Sequence, residues 1–146
     1  MYKSLHESLK NSYVVVLPLV FLMIFSRFIT VIPNFTPTIS LIIFLAFLLK
    51  EIRLTLFIIV TSQLFADLFI GYYDTMIFVY GTYILIAILS SNYLTSLNSS
   101  KILMISIFTP LIFFITTNFG VWLIMDLYDK SLSGLIASYI AGIPFL

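Results

Sequence analysis

Long apolar stretches, separated by short polar or proline-containing segments, dominate the chain from residue 13 to its end. A helix that crosses a bilayer needs about 20 predominantly apolar residues, within a range of about 17–25. Pro33 and Pro37 break the first stretch, because proline does not fit the interior of a regular helix. The breaks predict six spans, of which the second is short for a full crossing: residues 13–32, 36–49, 54–71, 75–97, 102–125 and 131–146.

Lysine and arginine residues fall mainly on one side of the six predicted spans. That side receives Lys3, Lys10, Lys50, Arg53 and Lys101, and the other receives Lys130 with Asp74, Asp126 and Asp129. Cytoplasmic loops carry the excess of lysine and arginine in membrane proteins. We therefore predict an all-α membrane protein, a six-transmembrane-helix bundle with both the N and C termini in the cytoplasm.

The two ends of the chain carry further signals. No small-x-small cleavage site follows the first apolar run, so we expect this run to be retained as a span. The chain ends at Ile143-Pro144-Phe145-Leu146 without a charged tail. We expect either a very short last helix or, the interpretation that we favour, a natural C-terminus further on.

Composition agrees with a membrane location. Of the 146 residues, 62% are hydrophobic and 9% are charged, whereas soluble domains carry about 25% charged residues. We therefore predict a single transmembrane domain, residues 1–146, in the inner membrane of a bacterial cell. The net charge is +1 without a basic cluster, which argues against nucleic acid as a partner.

Several chemistries are excluded by the residues that the sequence lacks. There is no cysteine, and the one histidine, His6, lies in the polar N-terminal segment. Neither a thiolate site nor a histidine-based metal site can therefore form within the predicted spans. No phosphate-binding glycine loop and no nucleophile motif occurs either. We expect no enzymatic activity, no metal and no cofactor.

Arg27 and Asp67 are charged residues within otherwise apolar stretches. A charge at the centre of a membrane helix costs roughly 2.5–3.5 kcal/mol on insertion scales, so it persists when it is paired, hydrated or functional. Both residues lie roughly 6–8 Å below the predicted outer boundary, at 1.5 Å per residue, so they can form an ion pair. Two interpretations stay open: the pair only joins two helices, or it forms the wall of an outward-facing pocket.

Further polar and aromatic residues fall towards the same predicted face. Asn118 lies among threonines and a glycine in the fifth span, one turn from Trp122. An amide and an indole are suitable pocket groups, although Asn118 is equally compatible with a hydrogen bond to a neighbouring helix. Asn34, in the turn between Pro33 and Pro37, and Tyr80 are second choices. The predicted ligand-binding residues are Arg27, Asp67, Asn118, Trp122, Asn34 and Tyr80.

The last predicted span carries small residues at four-residue spacing. One stripe is Gly134, Ser138 and Gly142, and the adjacent one is Ala137 and Ala141. Stripes of this kind let helix backbones approach closely. We therefore predict a helix-packing face here, and its partner is either another helix of this chain or a separate subunit.

Several short motifs together resemble those of a family of uncharacterised bacterial integral membrane proteins. The motifs are Pro33-Asn34-Phe35-Thr36-Pro37, Ala66-Asp67 with Gly71, Tyr80, Asn118-Phe119-Gly120-Val121-Trp122-Leu123, Tyr128, Gly134-Leu135, Tyr139 and Ile143-Pro144-Phe145. That family in turn resembles the substrate-binding S components of energy-coupling factor (ECF) vitamin transporters in size, span count and loop placement. The likeness implies a six-helix protein that binds its ligand near the outer face. It also implies delivery through a membrane coupling subunit and two cytoplasmic ATPases.

Two features depart from the S-component pattern. No Ala-xxx-Ala coupling stripe occurs between Tyr13 and Ile32, and the small-residue stripe is on the last helix instead. The nickel and cobalt members use an N-terminal histidine, whereas His6 is predicted to be cytoplasmic, which argues against metal transport.

Our leading hypothesis is an integral membrane protein that binds a small ligand from the outer face, as the substrate-capture subunit of an importer. Its partners would be the lipid bilayer, a small-molecule ligand, and a coupling membrane subunit with its ATPases. The alternative is a structural or assembly membrane protein in which the buried charges have a purely packing role.

Overall fold

The computed structural model describes residues 13–29 and 37–145. This part of the chain is helical and contains no strand, so the predicted all-α class is confirmed for it. Within the described residues, six α-helices and a terminal 3-10 turn follow one another: α1 Tyr13–Phe25, α2 Thr38–Leu49, α3 Ile52–Ile70, α4 Met76–Tyr93, α5 Ser99–Ile124, α6 Leu132–Gly142 and the turn Ile143–Phe145.

Three of the described helices, α3, α4 and α5, are long and apolar enough to span a membrane. The others are shorter apolar helices, and α2 has 12 residues. At 1.5 Å per residue α2 is about 18 Å long, less than the roughly 30 Å of bilayer hydrocarbon. Few residues of α5 are buried inside the structure: Ile105, Thr109 and Gly120.

Local signals set the ends of α3. The Glu51 carboxylate accepts hydrogen bonds from the backbone N–H groups of Arg53, at 3.1 Å, and Leu54, at 2.6 Å. It therefore satisfies donors that a helix start leaves without partners. At the other end Gly71 has φ 103°, a backbone conformation that favours glycine, and α3 stops there. We call the end of the structure near Gly71 the Arg27 end and the opposite one the Lys50 end.

The helix α1 ends at Phe25, whereas the predicted first span continues to residue 32. Ser26–Phe28 form a turn, in which the backbone N–H of Arg27 donates to the carbonyl three residues earlier at 3.2 Å. Arg27 therefore lies on a turn at the end of a helix. Residues 30–36, including Asn34, lie outside the described part of the chain.

The helix α4 lies at the centre of the structure and packs against α2, α3 and α5. The helix α1 packs mainly on α3, and α6 packs mainly on α5. Buried apolar side chains from the first four helices form the core: Met23, Ile42, Leu45, Ile59, Val79, Tyr83, Ile86 and Ala87. The helices α5 and α6 contribute no buried residue to this core, and α2 and α5 border a cavity on one side of α4.

Two contacts set the register between the antiparallel helices α4 and α5. A Cβ atom added at Gly120 would lie 2.5 Å from Cγ of Phe78, so the absence of a side chain permits the close approach. Nearer the Lys50 end, the hydroxyls of Thr82 and Thr116 are 2.7 Å apart. Asn118, between these contacts, therefore lies level with the first two turns of α4.

The small residues of α6 are divided between two faces. The buried positions of α6 are Gly134, Ser138 and Gly142. The Ser138 hydroxyl donates to the Asn118 carbonyl at 2.9 Å, and Gly142 lies against the Asn118 side chain. Ala137 and Ala141 are exposed. One predicted stripe therefore packs within this chain, and the adjacent stripe faces outward.

Candidate ligand-binding site

Asp67 is the buried centre of a polar cluster at the Arg27 end. It lies one turn before the end of α3, and its exposed fraction is 0%. One carboxylate oxygen accepts a hydrogen bond from the Arg27 guanidinium, and the other accepts one from the Tyr80 hydroxyl at 2.6 Å. The ion pair that the sequence suggested is therefore present. Each oxygen of the buried carboxylate has a donor, as a buried charge requires.

The Arg27 guanidinium lies between this carboxylate and a large cavity. Its side chain is 15% exposed, and it lines a cavity of about 1030 Å³ between α2, α4 and α5. A guanidinium has five N–H donors, and Asp67 does not use them all. Asp67 and Tyr80 do not line the cavity. They hold Arg27 from behind, and the guanidinium lies on the cavity wall.

Two tyrosines share the cavity wall with Arg27. Tyr73, in the α3–α4 turn, and Tyr83, on α4, both lie within electrostatic reach of the guanidinium. The Tyr83 ring stacks on Phe113 of α5, with centroids 5.4 Å apart and planes at 14°. Burial, and after it the negative charge of Asp67, raise the pKa of Tyr73 above its ordinary value. The Tyr73 hydroxyl therefore stays protonated at neutral pH and can donate or accept a hydrogen bond.

Asn118 lines the same cavity, together with Thr117 and Gly142. Its side-chain amide donates to the Phe114 carbonyl at 2.8 Å, which fixes the direction of the side chain. A Cβ added at Gly142 would overlap the Asn118 side chain, so glycine at this position leaves room for it. Asn118 therefore lies on the cavity wall and packs against Gly142 of α6. Its side-chain amide hydrogen-bonds within α5, and the hydrogen bond to α6 is made by its backbone carbonyl.

Trp122 lies outside the cavity wall and stabilises the connection between α5 and α6. Its indole N–H donates to the Asp129 carbonyl at 2.9 Å, and its own carbonyl accepts a hydrogen bond from Lys130 at 2.7 Å. The structure therefore brings four of the six predicted site residues together, two on the wall and two behind it. Trp122 is at a separate place, and Asn34 lies outside the described residues.

The sequence did not single out Tyr73 or the apolar wall of the cavity. Tyr72 and Tyr73 are adjacent in the sequence, yet Tyr72 is 75% exposed while Tyr73 lines the cavity. Their difference arises from the direction of the chain after Gly71, which no residue pattern specifies. Of the two tyrosines on this part of α4, the sequence favoured Tyr80, whereas Tyr83 is the one that lines the cavity.

Comparisons with known proteins give a family but no function. The sequence model of a family described as "Family of unknown function (DUF6580)" matches residues 7–146. No curated protein and no solved structure matches the chain. No relative's name supports the likeness to S components, and that likeness remains a prediction.

Proposed function

The chain belongs to this family of unknown function, and we propose that it is an integral membrane protein that binds a small ligand at the Arg27 end. The observation that carries the proposal is the arrangement of one guanidinium. Arg27 is held by the buried Asp67 on one side and lines a cavity of about 1030 Å³ on the other. Pockets that combine apolar walls with a few convergent polar groups are the usual sites of small-molecule binding.

The proposed topology is a six-span bundle in the inner membrane, with both termini in the cytoplasm and the Arg27 end outside. The charges support it. Asp74, Asp126 and Asp129 belong to connections at the Arg27 end, together with one lysine, whereas Lys50 and Arg53 flank a turn at the other end. The excess of positive charge at the Lys50 end is what a cytoplasmic surface carries.

Within this proposal the protein captures a substrate for import and is not an enzyme. It would pass the ligand to a coupling membrane subunit driven by ATPases, in the manner of an S component. The position of the cavity supports capture, since its polar groups lie at the proposed outer face. The outward stripe of Ala137 and Ala141 is compatible with a further helix packing there.

The test of ligand binding is thermal unfolding of the purified protein in lipid nanodiscs, with panels of vitamins, nucleobases and amino acids. We expect at least one compound to raise the unfolding temperature. The variant Asn118→Ala removes a wall group, and Asn92→Ala changes an exposed asparagine of α4 that does not line the cavity. Ligand stabilisation should fall in the first variant and persist in the second.

A structural or assembly role is the second candidate. It is favoured by one observation: the Asp67 carboxylate joins the turn after α1, helix α3 and helix α4 through Arg27 and Tyr80. If neither these panels nor longer, lipophilic compounds stabilise the protein, while loss of the ion pair unfolds it, the packing role replaces ligand binding.

A further inference from the structure

The cavity is an elongated cleft. Its lining residues on α5 extend from Ile102 to Val121. They are 19 residues apart, which corresponds to about 28 Å at 1.5 Å per residue. The opposite wall is formed by α2, from Ile39 to Phe47. Val79 and Tyr83 of α4 form the floor in the half nearer the Arg27 end, and Gly142 and Phe145, from α6 and the turn after it, also line the cleft. The cleft volume of about 1030 Å³ is at the upper end of the roughly 300–1,000 Å³ found for small-molecule pockets.

Polar groups are concentrated at one end of this cleft. Arg27, Tyr73, Thr117 and Asn118 lie at the Arg27 end. Towards the Lys50 end the lining is mainly apolar and aromatic, and its polar residues are Ser96 and Ser106. The apolar residues there are Phe44, Phe47, Leu94, Leu97 and Ile102. A compact polar ligand would fill only the first part. A ligand that fills the cleft has a polar head and a long apolar body.

The charge balance restricts the chemistry of the head. Among the described residues that line the cleft, Arg27 is the only one with a charged side chain, and Asp67 neutralises it. A carboxylate head would leave one excess negative charge, and an ammonium head would face a guanidinium. Either arrangement is unfavourable in a poorly hydrated site. An uncharged acceptor can take hydrogen bonds from Arg27 and from Tyr73 without this penalty.

On the basis of the ligand-binding function proposed above, we infer that the ligand is a single-tailed membrane lipophile with an uncharged carbonyl head, as in a ketone, an ester or a quinone. The head oxygen accepts hydrogen bonds from Arg27 and Tyr73. The tail lies along α5, past Phe113 and between the phenylalanines of α2, towards Ser106. The exposed position of Ser106 leaves the side of the cleft open, so the tail can enter from the bilayer.

The head is tested with three C16 probes in nanodiscs: a long-chain methyl ketone, hexadecanoate and hexadecylamine, each at the same mole fraction of lipid. We expect the ketone to raise the unfolding temperature, and the charged probes to bind at least about tenfold more weakly, because each leaves an unbalanced or repelled charge. Arg27→Lys should weaken ketone binding, since an ammonium lacks the planar fork of donors. A tighter complex with hexadecanoate would overturn the uncharged head.

The tail is tested by chain length and by a variant that narrows the far end of the cleft. Ser106 is about 18 Å from Asn118 along α5, 12 residues away. Ser106→Phe should weaken binding of the C16 ketone at least about tenfold and leave a C8 ketone unchanged. Ile107→Phe is the matched control, because Ile107 is exposed and does not line the cleft. Equal effects of Ser106→Phe on both lengths would contradict the placement of the tail.

The outcomes separate this inference from the proposed function. If only water-soluble vitamins, nucleobases or amino acids stabilise the protein, ligand binding stands and the lipophile assignment is wrong. If neither those compounds nor the ketones do, both fail.

Discussion

At the scale of single residues, the buried carboxylate of Asp67 determines what the cluster at the Arg27 end can tolerate. Removing one partner of a buried ion pair leaves an uncompensated charge, which typically destabilises by about 3–5 kcal/mol. We expect this loss for Arg27→Leu and for Asp67→Leu separately. The double variant should recover most of the stability, because an apolar pair in place of a buried ion pair is often neutral. Denaturant unfolding in nanodiscs gives the free energy of unfolding of the parent protein, of the two single variants and of the double variant.

The double variant also separates the two roles of the pair. If it is stable and still binds the ligand, Arg27 does not hold the head group and the site described above is wrong. If it is stable and binds nothing, the pair is dispensable for folding and necessary for binding. Tyr80→Phe, which removes one hydrogen bond to Asp67 and keeps the ring, serves as a milder comparison.

Gln63 is the most unusual buried residue outside the cluster. It lies one turn before Asp67 on α3, its exposed fraction is 0%, and neither side-chain polar atom has a hydrogen-bond partner among the described residues. An unsatisfied buried polar group costs about 1–3 kcal/mol. We therefore expect Gln63→Leu to stabilise the protein by about that amount, measured by denaturant unfolding.

The neighbouring Ser62→Ala is the control for Gln63. The Ser62 hydroxyl donates to the Ile59 carbonyl at 3.0 Å, so its removal should give no comparable gain. Destabilisation by Gln63→Leu would mean that the amide has a polar partner that is essential to the fold.

At the scale of helices, the sequence predicts a helix end well where a strong local signal, such as a capping residue or a glycine, marks it. The predicted spans 54–71 and 102–125 correspond closely to Ile52–Ile70 and Ser99–Ile124. The Glu51 cap, Gly71 and the Asn98 cap mark three of these four boundaries, and no such signal marks the end at Ile124. The end of α1 was not predictable, since apolar residues continue past Phe25 and hydropathy reports the preferred surroundings of a segment, not its backbone conformation.

The candidate site was likewise predictable only where a local sequence signal marks it. The pairing of Arg27 with Asp67 was predictable, because an isolated charge in an apolar segment is costly and the two lie at similar predicted depth. The cleft was not, because it results from the spacing of α2 and α5 across α4. Trp122 is a residue type that is common in pockets, yet its indole N–H donates a hydrogen bond to the Asp129 carbonyl in the α5–α6 connection.

Close packing between α4 and α5 gives a prediction at this scale. Gly120→Ala would place a Cβ 2.5 Å from the Phe78 ring and 3.0 Å from its Cβ, so one of the helices must shift. We expect a loss of about 1–3 kcal/mol, the usual effect of overpacking. Gly81→Ala is the matched control, because nothing lies within 4 Å of the added Cβ and alanine favours helix by up to about 1 kcal/mol.

Thermal unfolding of the two alanine variants distinguishes these effects. Gly120→Ala should unfold below the parent protein, and Gly81→Ala at or above it. Equal unfolding temperatures for both variants would mean that α4 and α5 separate easily. In that case the cleft beside them would not have fixed walls.

At the scale of the whole molecule, the central position of α4 connects the charged cluster to the cleft. Its first turns carry Tyr80, which contacts Asp67, and its next turn carries Tyr83, which lines the cleft. The helix α2 on one side and α5 on the other form the walls, and α3 supplies the buried carboxylate. The site therefore depends on the arrangement of helices that are distant in sequence, and a ligand that separates α2 from α5 would bind at the expense of their packing.

The orientation of the molecule determines from which side the cleft is loaded. The sequence has no cysteine, so labelling of a single introduced cysteine shows on which side of the membrane that residue lies, without reaction at any other position. Asp74, in the α3–α4 turn, and Ser96, between α4 and α5, are both exposed and lie at opposite ends of α4. With a membrane-impermeant maleimide on intact cells, Asp74→Cys should react, and Ser96→Cys should react only after permeabilisation. Asp126→Cys should behave like Asp74→Cys, since its side chain is fully exposed at the same end. The reverse labelling pattern would place Arg27 at the cytoplasmic face. Capture from outside would then be excluded, and the polar end of the cleft would receive its ligand from the cell interior or from the inner leaflet.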